Sequence, residues 1–317
     1  MESLRVAVIG VGYLGSHHAR IYRTLKGVTL TGLCDTDPAK AQWARKFRTE
    51  FFPDHRALFG KVDAVSIVVP TQGHFQIAKA FLEQGIHVLI EKPMTQTLEE
   101  ADILLDIARR RGLLIQVGHV ERFNKAVETM DAIFRSPRFL ECHRLGPFRK
   151  RGTEVGVVLD LMIHDIDIVL YLVKSQVERI DAVGVNVLTP FTDIANVRIN
   201  FKNGAVANLT ASRITKDFMR KIRIFGDNAY VSLDYMKQRA RLYRKEGNAI
   251  RVQKIAIPKE EPLKRELEAF AASVRLREKP LVSGEDGREA LRVALEVERM
   301  IQERLTLAHQ TLAPTPR

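Results

Sequence analysis

At 317 residues, with 45% apolar and 28% charged residues, the chain has room for two folded domains and the composition of an ordinary globular protein. Its two cysteines are too few for a disulfide scaffold and fit a reducing cytoplasm. The net charge of +12 and pI of about 9.8 invite a polyanion. Yet Lys and Arg are interleaved with Asp and Glu, and no zinc-finger, basic-zipper or RNA-recognition pattern is present. The expected partner is therefore an anionic small molecule, not nucleic acid.

Residues 1–5 lead into a strand-like segment, with no charged region and apolar run of a signal peptide. The first third alternates β-rich and helical patterns. Residues 4–9 read as a strand, 15–26 as a helix and 28–34 as a second strand. Asp37-Pro38 opens a helix, with Asp as cap and Pro in the first turn. Strands follow at 62–69, 88–90 and 113–117, separated by a helix from His74 to Gln84 that Gly85 ends and one that opens at the Thr97…Glu100 capping pair. This alternation predicts a doubly wound parallel sheet, an α/β Rossmann-type domain over residues 1–118.

Beyond residue 118 the pattern changes. Segments 123–134 and 155–173 read as helices. Residues 177–257 form a run of strands joined by turn clusters such as Asn203-Gly204, Gly226-Asp227-Asn228 and Glu246-Gly247-Asn248. Two helices follow, at about 263–277 and 287–304, and then a short proline-containing tail from Thr311. Residues 119–317 are thus expected to form an α+β domain on a mostly antiparallel sheet.

Gly10-Val11-Gly12-Tyr13-Leu14-Gly15 is a GxGxxG motif between a strand and a helix. Gly10 suits a tight turn, Gly12 close approach of a pyrophosphate, and Gly15 close helix–strand packing. The helix start at Tyr13 and Leu14 offers N–H groups to phosphate. Asp35 ends the second strand, where a carboxylate receives the adenosine ribose. It would repel a 2′-phosphate, so the expected cofactor is NAD, although Lys40 and Arg45 lie near enough in sequence to answer such a phosphate.

The segment 155–173 is apolar nearly all round, and its Asp and His residues are too costly for a bilayer, so a buried helix is expected and no membrane partner. Asp160, His164, Asp167 and Tyr171 share one face, and Asp165 falls off it. Such a row is either a set of satisfied core groups or a catalytic one. A histidine near neutral pKa suits removal of a hydroxyl proton from an alcohol. Glu91-Lys92-Pro93 lies at the carboxyl edge of the parallel sheet, where ligands of such folds bind. Lys92 is either a surface lysine or a group that polarises the substrate oxygen. Pro70-Thr71, with His74 beyond, ends the preceding strand at the same edge.

Together the GxGxxG motif, Val69-Pro70-Thr71 with His74, Glu91-Lys92-Pro93, the run from Gly118-His119 to Arg122-Phe123-Asn124, Asp160-x-x-x-His164 and the C-terminal Pro280-Leu281-Val282-Ser283-Gly284 resemble the glucose–fructose oxidoreductase / inositol dehydrogenase / MocA family. The resemblance implies an NAD(P)-dependent oxidoreductase with His164 as acid/base, Lys92 at the substrate oxygen and Asp160 positioning its neighbours. It also implies a homodimer or homotetramer formed through the large sheet, an often cis Lys92-Pro93 bond, and no metal. Gly10, Gly12, Tyr13, Leu14, Gly15, Asp35, Pro70, Thr71, His74, Glu91 and Lys92 are expected at the cofactor. Wording around Gly118 and Asp160 resembles the branch acting on nucleotide-linked sugars, with inositol or free sugars as the alternative. A nucleotide diphosphate needs cations: Arg149 and Arg151 are candidates, with Arg144 and, more weakly, Arg213 and Lys216. Arg122 and Asn124 are candidate substrate contacts, and Arg122 is alternatively a structural tie.

Overall fold

The structure is a computed structural model that describes residues 3–134, 136–149 and 155–312, without the side chains of 308–312. Chain contacts divide it into two units. The first holds residues up to Phe123 together with Glu261–Leu291, and the second holds Asn124–Glu260 and the chain from Arg292 onward.

In the first unit, β1 (Leu4–Ile9), α1 (Tyr13–Tyr22), β2 (Val28–Cys34), α2 (Ala41–Phe47), β3 (Glu50–Phe52), β4 (Ala64–Ile67), α3 (His74–Glu83), β5 (His87–Glu91), α4 (Leu98–Arg111) and β6 (Ile115–Gly118) succeed one another. The six strands lie in the order β3-β2-β1-β4-β5-β6, and every pairing is parallel. Order reverses between β1 and β4, so the crevice outside their carboxyl ends is where a ligand is expected. Helix starts follow the local chemistry. Asp37 accepts the Ala39 N–H at the head of a 3-10 turn that precedes α2, and Thr97 accepts the Glu100 N–H at the head of α4.

The second unit contains α5 (Lys125–Ile133), β7 (Phe139–Leu145), a π-helical turn (Val158–Met162) that runs into α6 (Ile163–Val173), and strands β8 (Val177–Val185), β9 (Ile194–Phe201), β10 (Val206–Ser212), β11 (Met219–Phe225), β12 (Ala229–Asp234), β13 (Arg239–Glu246) and β14 (Ala249–Ile255). Their order is β14-β13-β12-β11-β7-β10-β9-β8, antiparallel except where β7 meets β10. One face is buried through residues such as Leu140, Leu209, Ile222 and Val197, and its β7 and β10 strands pack under α6. The opposite face carries a cross-strand row of half-buried rings, Phe139, Phe225, Tyr230 and Tyr243, with centroids 5.5, 5.1 and 4.3 Å apart in turn.

Two departures from the sequence reading have physical causes. Strand β7, at the centre of the second sheet, was not anticipated. Its inward positions are Leu140, Cys142 and Arg144, and the buried arginine breaks the apolar alternation that marks a strand. A single boundary at 118 was also too simple, because α7 (Pro262–Leu276) and the start of α8 (Gly284–Leu312) return to the first unit. Leu267, Phe270, Ala271 and Val274 form the stripe of α7 that joins the core of β1 and α1. The Val282 carbonyl accepts the Val117 N–H of β6. An amphipathic stripe announces a buried face without saying which surface covers it. The proline-containing end of the tail, from residue 313, lies outside the described residues.

Candidate active site

The β1–α1 turn is shaped by the absence of side chains. Gly10 is left-handed at φ 88°, and a Cβ there would stand 2.6 Å from the Val68 carbonyl oxygen. A Cβ on Gly15 would fall 1.8 Å from the Gly10 carbonyl oxygen, whereas a Cβ on Gly12 would meet nothing within 4 Å. Gly15 therefore serves packing, and Gly12 leaves the start of α1 bare for a ligand. Tyr13 is 70% exposed with its ring edge-on to His17, and Leu14 is half-buried beside it. Asp35 reaches back across the loop. Its carboxylate accepts the Val11 N–H at 2.7 Å and the Asp37 N–H at 2.9 Å. A cavity of about 590 Å³ opens here, lined among others by Gly10, Gly12, Asp35, Asp54, Val69 and Pro70. The left-handed glycine, the bare helix start and a carboxylate at the second strand end fit a dinucleotide. Lys40 is drawn to Asp37 at 3.6 Å, so Asp35, Asp37 and Asp54 leave the region around the ribose position acidic. Cys34 on the same wall is inert: burial, then Asp54 and Asp35, push its thiol up to about 12.

Around Lys92 the structure reassigns two expected cofactor contacts. Glu91 is buried. Its carboxylate faces His18 at 3.2 Å, off the line of a good hydrogen bond, and accepts the Lys92 N–H at 3.3 Å. A Cβ on Gly118 would come within 2.8 Å of that carboxylate, so Glu91 is packed inward against β6. His74 is also buried, with Nδ1 2.9 Å from the Pro93 carbonyl and Nε2 2.9 Å from that of Val69. Burial lowers its pKa against the opposing pull of those carbonyls. His74 thus ties the loop after β4 to the loop after β5, and it steadies Lys92 at second hand. Lys92 itself is half-buried, the Lys92-Pro93 bond is cis as the resemblance implied, and Thr71 begins the short turn before α3.

In the second unit Asp160 lies in the π-helical turn and His164 in the first turn of α6, both half-buried. Such turns widen a helix locally and recur at functional sites. The expected four-residue row divides. Tyr171 donates to Asp131 of α5 at 3.1 Å, and Asp167 is fully buried. Asp165, which the helical spacing had set aside, holds Arg144 in a two-pronged buried pair at 2.8 and 2.9 Å. Arg144 is thereby a structural cation rather than one reserved for a phosphate. Arg213 plays a similar part. It donates to the carbonyls of Val155 (2.6 Å) and Thr192 (3.2 Å) and lies 3.5 Å from the buried Asp193. Asp193 in turn accepts N–H groups from Val187, Leu188 and Thr189 and the Thr189 hydroxyl. Burial pushes the Asp193 pKa up, but these donors outweigh it and hold the carboxyl below its ordinary value. Glu298 of α8 closes over Gly156, where a Cβ would meet Glu298 Oε1 at 2.3 Å, and burial raises the Glu298 carboxyl. The segment entering the π turn is bonded by Arg213 and packed by Glu298, neither singled out as a support by the sequence.

Of the remaining candidates, Arg122 is buried 3.7 Å from Asp286, which favours its alternative as a structural tie. Asn124 caps α5 by accepting the Ala126 N–H, a job its place before a helix advertises. Arg149 is exposed, with its guanidinium 4.9 Å from the Phe218 ring centroid. Arg151 lies outside the described residues. Among the described residues no group of three or more His, Cys, Asp or Glu could hold a metal ion, and no helix is long and apolar enough to cross a membrane.

Comparison with known proteins agrees with this geometry. Residues 4–119 match the model of an oxidoreductase family with an NAD-binding Rossmann fold, and residues 126–232 match the GFO/IDH/MocA C-terminal domain. The chain is 37% identical to the UDP-N-acetylglucosamine 3-dehydrogenase of Acidithiobacillus ferrooxidans over 94% of its own length and 97% of the relative's. The scyllo-inositol 2-dehydrogenase (NAD+) of Bacillus subtilis is 28% identical over 93% of each chain. A solved structure of the Acidithiobacillus ferrooxidans enzyme superposes with a TM-score of 0.91 at 36% identity, covering 96% of this chain and 99% of that one. Myo-inositol 2-dehydrogenase from Lactobacillus plantarum, at 21% identity and a TM-score of 0.82, shares the fold.

Proposed function

The chain belongs to the GFO/IDH/MocA oxidoreductase family, and on that premise we propose that it oxidises the 3-hydroxyl of UDP-N-acetylglucosamine to the ketone with NAD, in cytoplasmic synthesis of a cell-surface sugar such as that of lipid A. One observation carries this reading: likeness to a UDP-N-acetylglucosamine 3-dehydrogenase runs through both units, at 37% identity over nearly the whole of both chains. The inositol dehydrogenases share the fold at lower identity.

Bound NAD supplies the acceptor for the hydride. The chain supplies the proton chemistry. His164 takes the hydroxyl proton as the alcohol is oxidised, the part of a general base. Lys92 donates a hydrogen bond to the same oxygen and favours its developing negative charge. Asp160, one turn before His164, orients its neighbours. The Arg144–Asp165 pair and the Arg213–Asp193 pair fix the strand ends and the helix entry on which Asp160 and His164 stand. Pre-organisation of this kind keeps the reacting groups in place without reorganisation during the reaction.

The ring-bearing face of the second sheet is proposed as the contact between copies of the chain. Phe139, Phe225, Tyr230 and Tyr243 form a contiguous apolar row that a second copy would cover in a homodimer or homotetramer.

The test is NADH formation with UDP-N-acetylglucosamine, myo-inositol and free glucose, each with and without an aminotransferase that removes the ketone. Turnover confined to the UDP-sugar is the expected result. Turnover with inositol alone would replace the nucleotide-sugar reading with the polyol one.

A further inference from the structure

The second unit contains a cavity that the chemistry above does not use in full. Three neighbouring strand ends build its floor: Gly146 follows β7, Arg213 follows β10, and Phe218 precedes β11. The Gly146 N–H donates to the Ser212 carbonyl and the Thr215 N–H to the Gly146 carbonyl, so these ends are laced together by backbone. The π turn supplies Asp160 and Leu161 to the wall. The cavity measures about 110 Å³, well below the roughly 300–1,000 Å³ of a site that encloses a whole drug-sized ligand. It therefore takes part of a ligand, on the scale of a single ring or a phosphate group.

Its lining is unusual in charge and shape. Arg144, Arg149, Arg213 and Arg220 all border it, against the one carboxylate of Asp160. Arg144 is paired with Asp165 and Arg213 lies beside Asp193; Arg149 is exposed and Arg220 half-buried. Phe218 is 43% exposed at the lip, which leaves part of its ring open to a ligand. Its ring lies close over Gly146, where a Cβ would come within 3.0 Å of it. The Arg149 guanidinium covers the ring at 4.9 Å. A guanidinium is planar, so that face already accommodates a flat group, and arginine leaves such a face readily for a phosphate.

We propose that this cavity is the base end of a nucleotide subsite: the pyrimidine ring of a nucleoside diphosphate lies in it against Phe218, and Arg149 and Arg220 at its border meet the diphosphate outside it. The inference rests on the nucleotide-sugar reading and specifies it. The small volume favours a one-ring base over a purine.

The probe is UDP alone, measured by calorimetry with the full-length protein, beside steady-state kinetics with UDP-N-acetylglucosamine. Phe218→Ala is expected to weaken UDP about tenfold or more, the scale of a lost base–aromatic stack, and Phe218→Tyr to restore it. KM for the UDP-sugar rises in parallel, while kcat and NAD affinity stay within about twofold. Arg149→Ala is expected to weaken UDP and flatten the salt dependence of its binding. ADP binds the parent more weakly than UDP. Should Phe218→Ala lose its fold, seen as lost NAD binding, Phe218→Leu keeps the packing on Gly146 and removes the aromatic face. Phe218→Leu and Arg149→Ala binding UDP within twofold of the parent would overturn the subsite and leave the nucleotide-sugar reading intact. A parent protein that neither binds UDP nor oxidises the UDP-sugar would overturn both.

Discussion

The cofactor turn at Gly10–Gly15 and the strand-end platform beneath Asp160 are built from opposite materials. The first works by removing side chains. Gly10 and Gly15 are required because any Cβ would strike a backbone oxygen, and Asp35 completes the turn by accepting the Val11 N–H. The second works by burying charge. Arg144 bonds Asp165 through two charge-assisted hydrogen bonds, and Arg213, 3.5 Å from Asp193, donates to the Val155 and Thr192 carbonyls; both sit where water is excluded and hold the helix entry. A glycine turn tolerates nothing added, whereas a buried pair tolerates nothing taken away.

The sharpest way to break the second design is to remove one partner of its best pair. Arg144→Leu leaves the Asp165 carboxylate buried and uncompensated, and a loss of about 3–5 kcal/mol in unfolding free energy is expected by denaturant titration. The double change Arg144→Leu with Asp165→Leu should recover much of that stability, because no charge is then stranded. Recovery of stability without recovery of turnover would show that the pair serves geometry rather than folding. Equal loss in the single and double variants would mean that the arginine matters for its packing.

The difference between the two regions also explains what could be read from the sequence. Each glycine of the turn acts on neighbours within a few residues, so the motif, its strand–helix setting and Asp35 were legible together. Strand β2 was legible by its β-branched content although only its last three residues are buried, and strands β1, β4 and β5 because they are buried on both faces and read as nearly continuous apolar runs. That same property hid the orientation of Glu91 and the surroundings of His74. A strand buried on both sides does not say which way its last side chain points, and both residues turned inward. Arg144 was legible as a cation near the catalytic helix but not as a buried one, since β7 lacks a clean alternation. Asn124 carried a readable capping signal that was passed over in favour of a substrate contact. Asp160 and His164 were placed by helical spacing. That spacing holds from His164 onward through α6, but the π turn beneath Asp160 has no local sequence signature.

Chemistry should separate from scaffolding at His164. His164→Asn keeps a polar group of similar size, so NAD affinity and the thermal midpoint are expected to stay near the parent's. Turnover should fall by a factor on the order of 10² or more, as for loss of a general base. Near-normal kcat in this variant would remove His164 from the proton step and leave the platform supporting something else.

Asp193 offers a pH-resolved test of the platform. Asp193→Ala strips the acceptor from three backbone N–H groups and from the Thr189 hydroxyl. About 1.5–3 kcal/mol of stability should be lost at neutral pH. The carboxyl is held below its unfolded value of about 3.9, so it binds fewer protons folded than unfolded. Its contribution is therefore complete above about pH 4–5 and drains away as pH falls through the lower folded value. Stability curves of parent and variant should converge in acid. Curves that stay parallel down to the acid transition would show that the Asp193 carboxylate is not the group the loop depends on.

The smallest expected effect belongs to the cofactor side, where the architecture is backbone and one carboxylate only tunes it. Asp35→Ala removes the acceptor for the Val11 and Asp37 N–H groups; the Asp37 bond is exposed, so water can replace it there, whereas Val11 is buried. The fold should survive, because Gly10 and Gly15 rather than Asp35 set the turn. What changes is the charge facing the ribose. NAD affinity should fall and NADP affinity fall less or rise, moving the NAD:NADP preference by about tenfold, equivalent to ~1.4 kcal/mol. Asp37 and Asp54 remain to repel a 2′-phosphate, with Lys40 held at Asp37, and this limits the shift. Adding Asp37→Ser to Asp35→Ala would release Lys40 from its carboxylate and should move the preference further toward NADP. An unchanged ratio in both variants would mean that discrimination lies elsewhere on the cavity wall, and the contrast between a side-chain-free turn and a charge-built platform would then hold without exception.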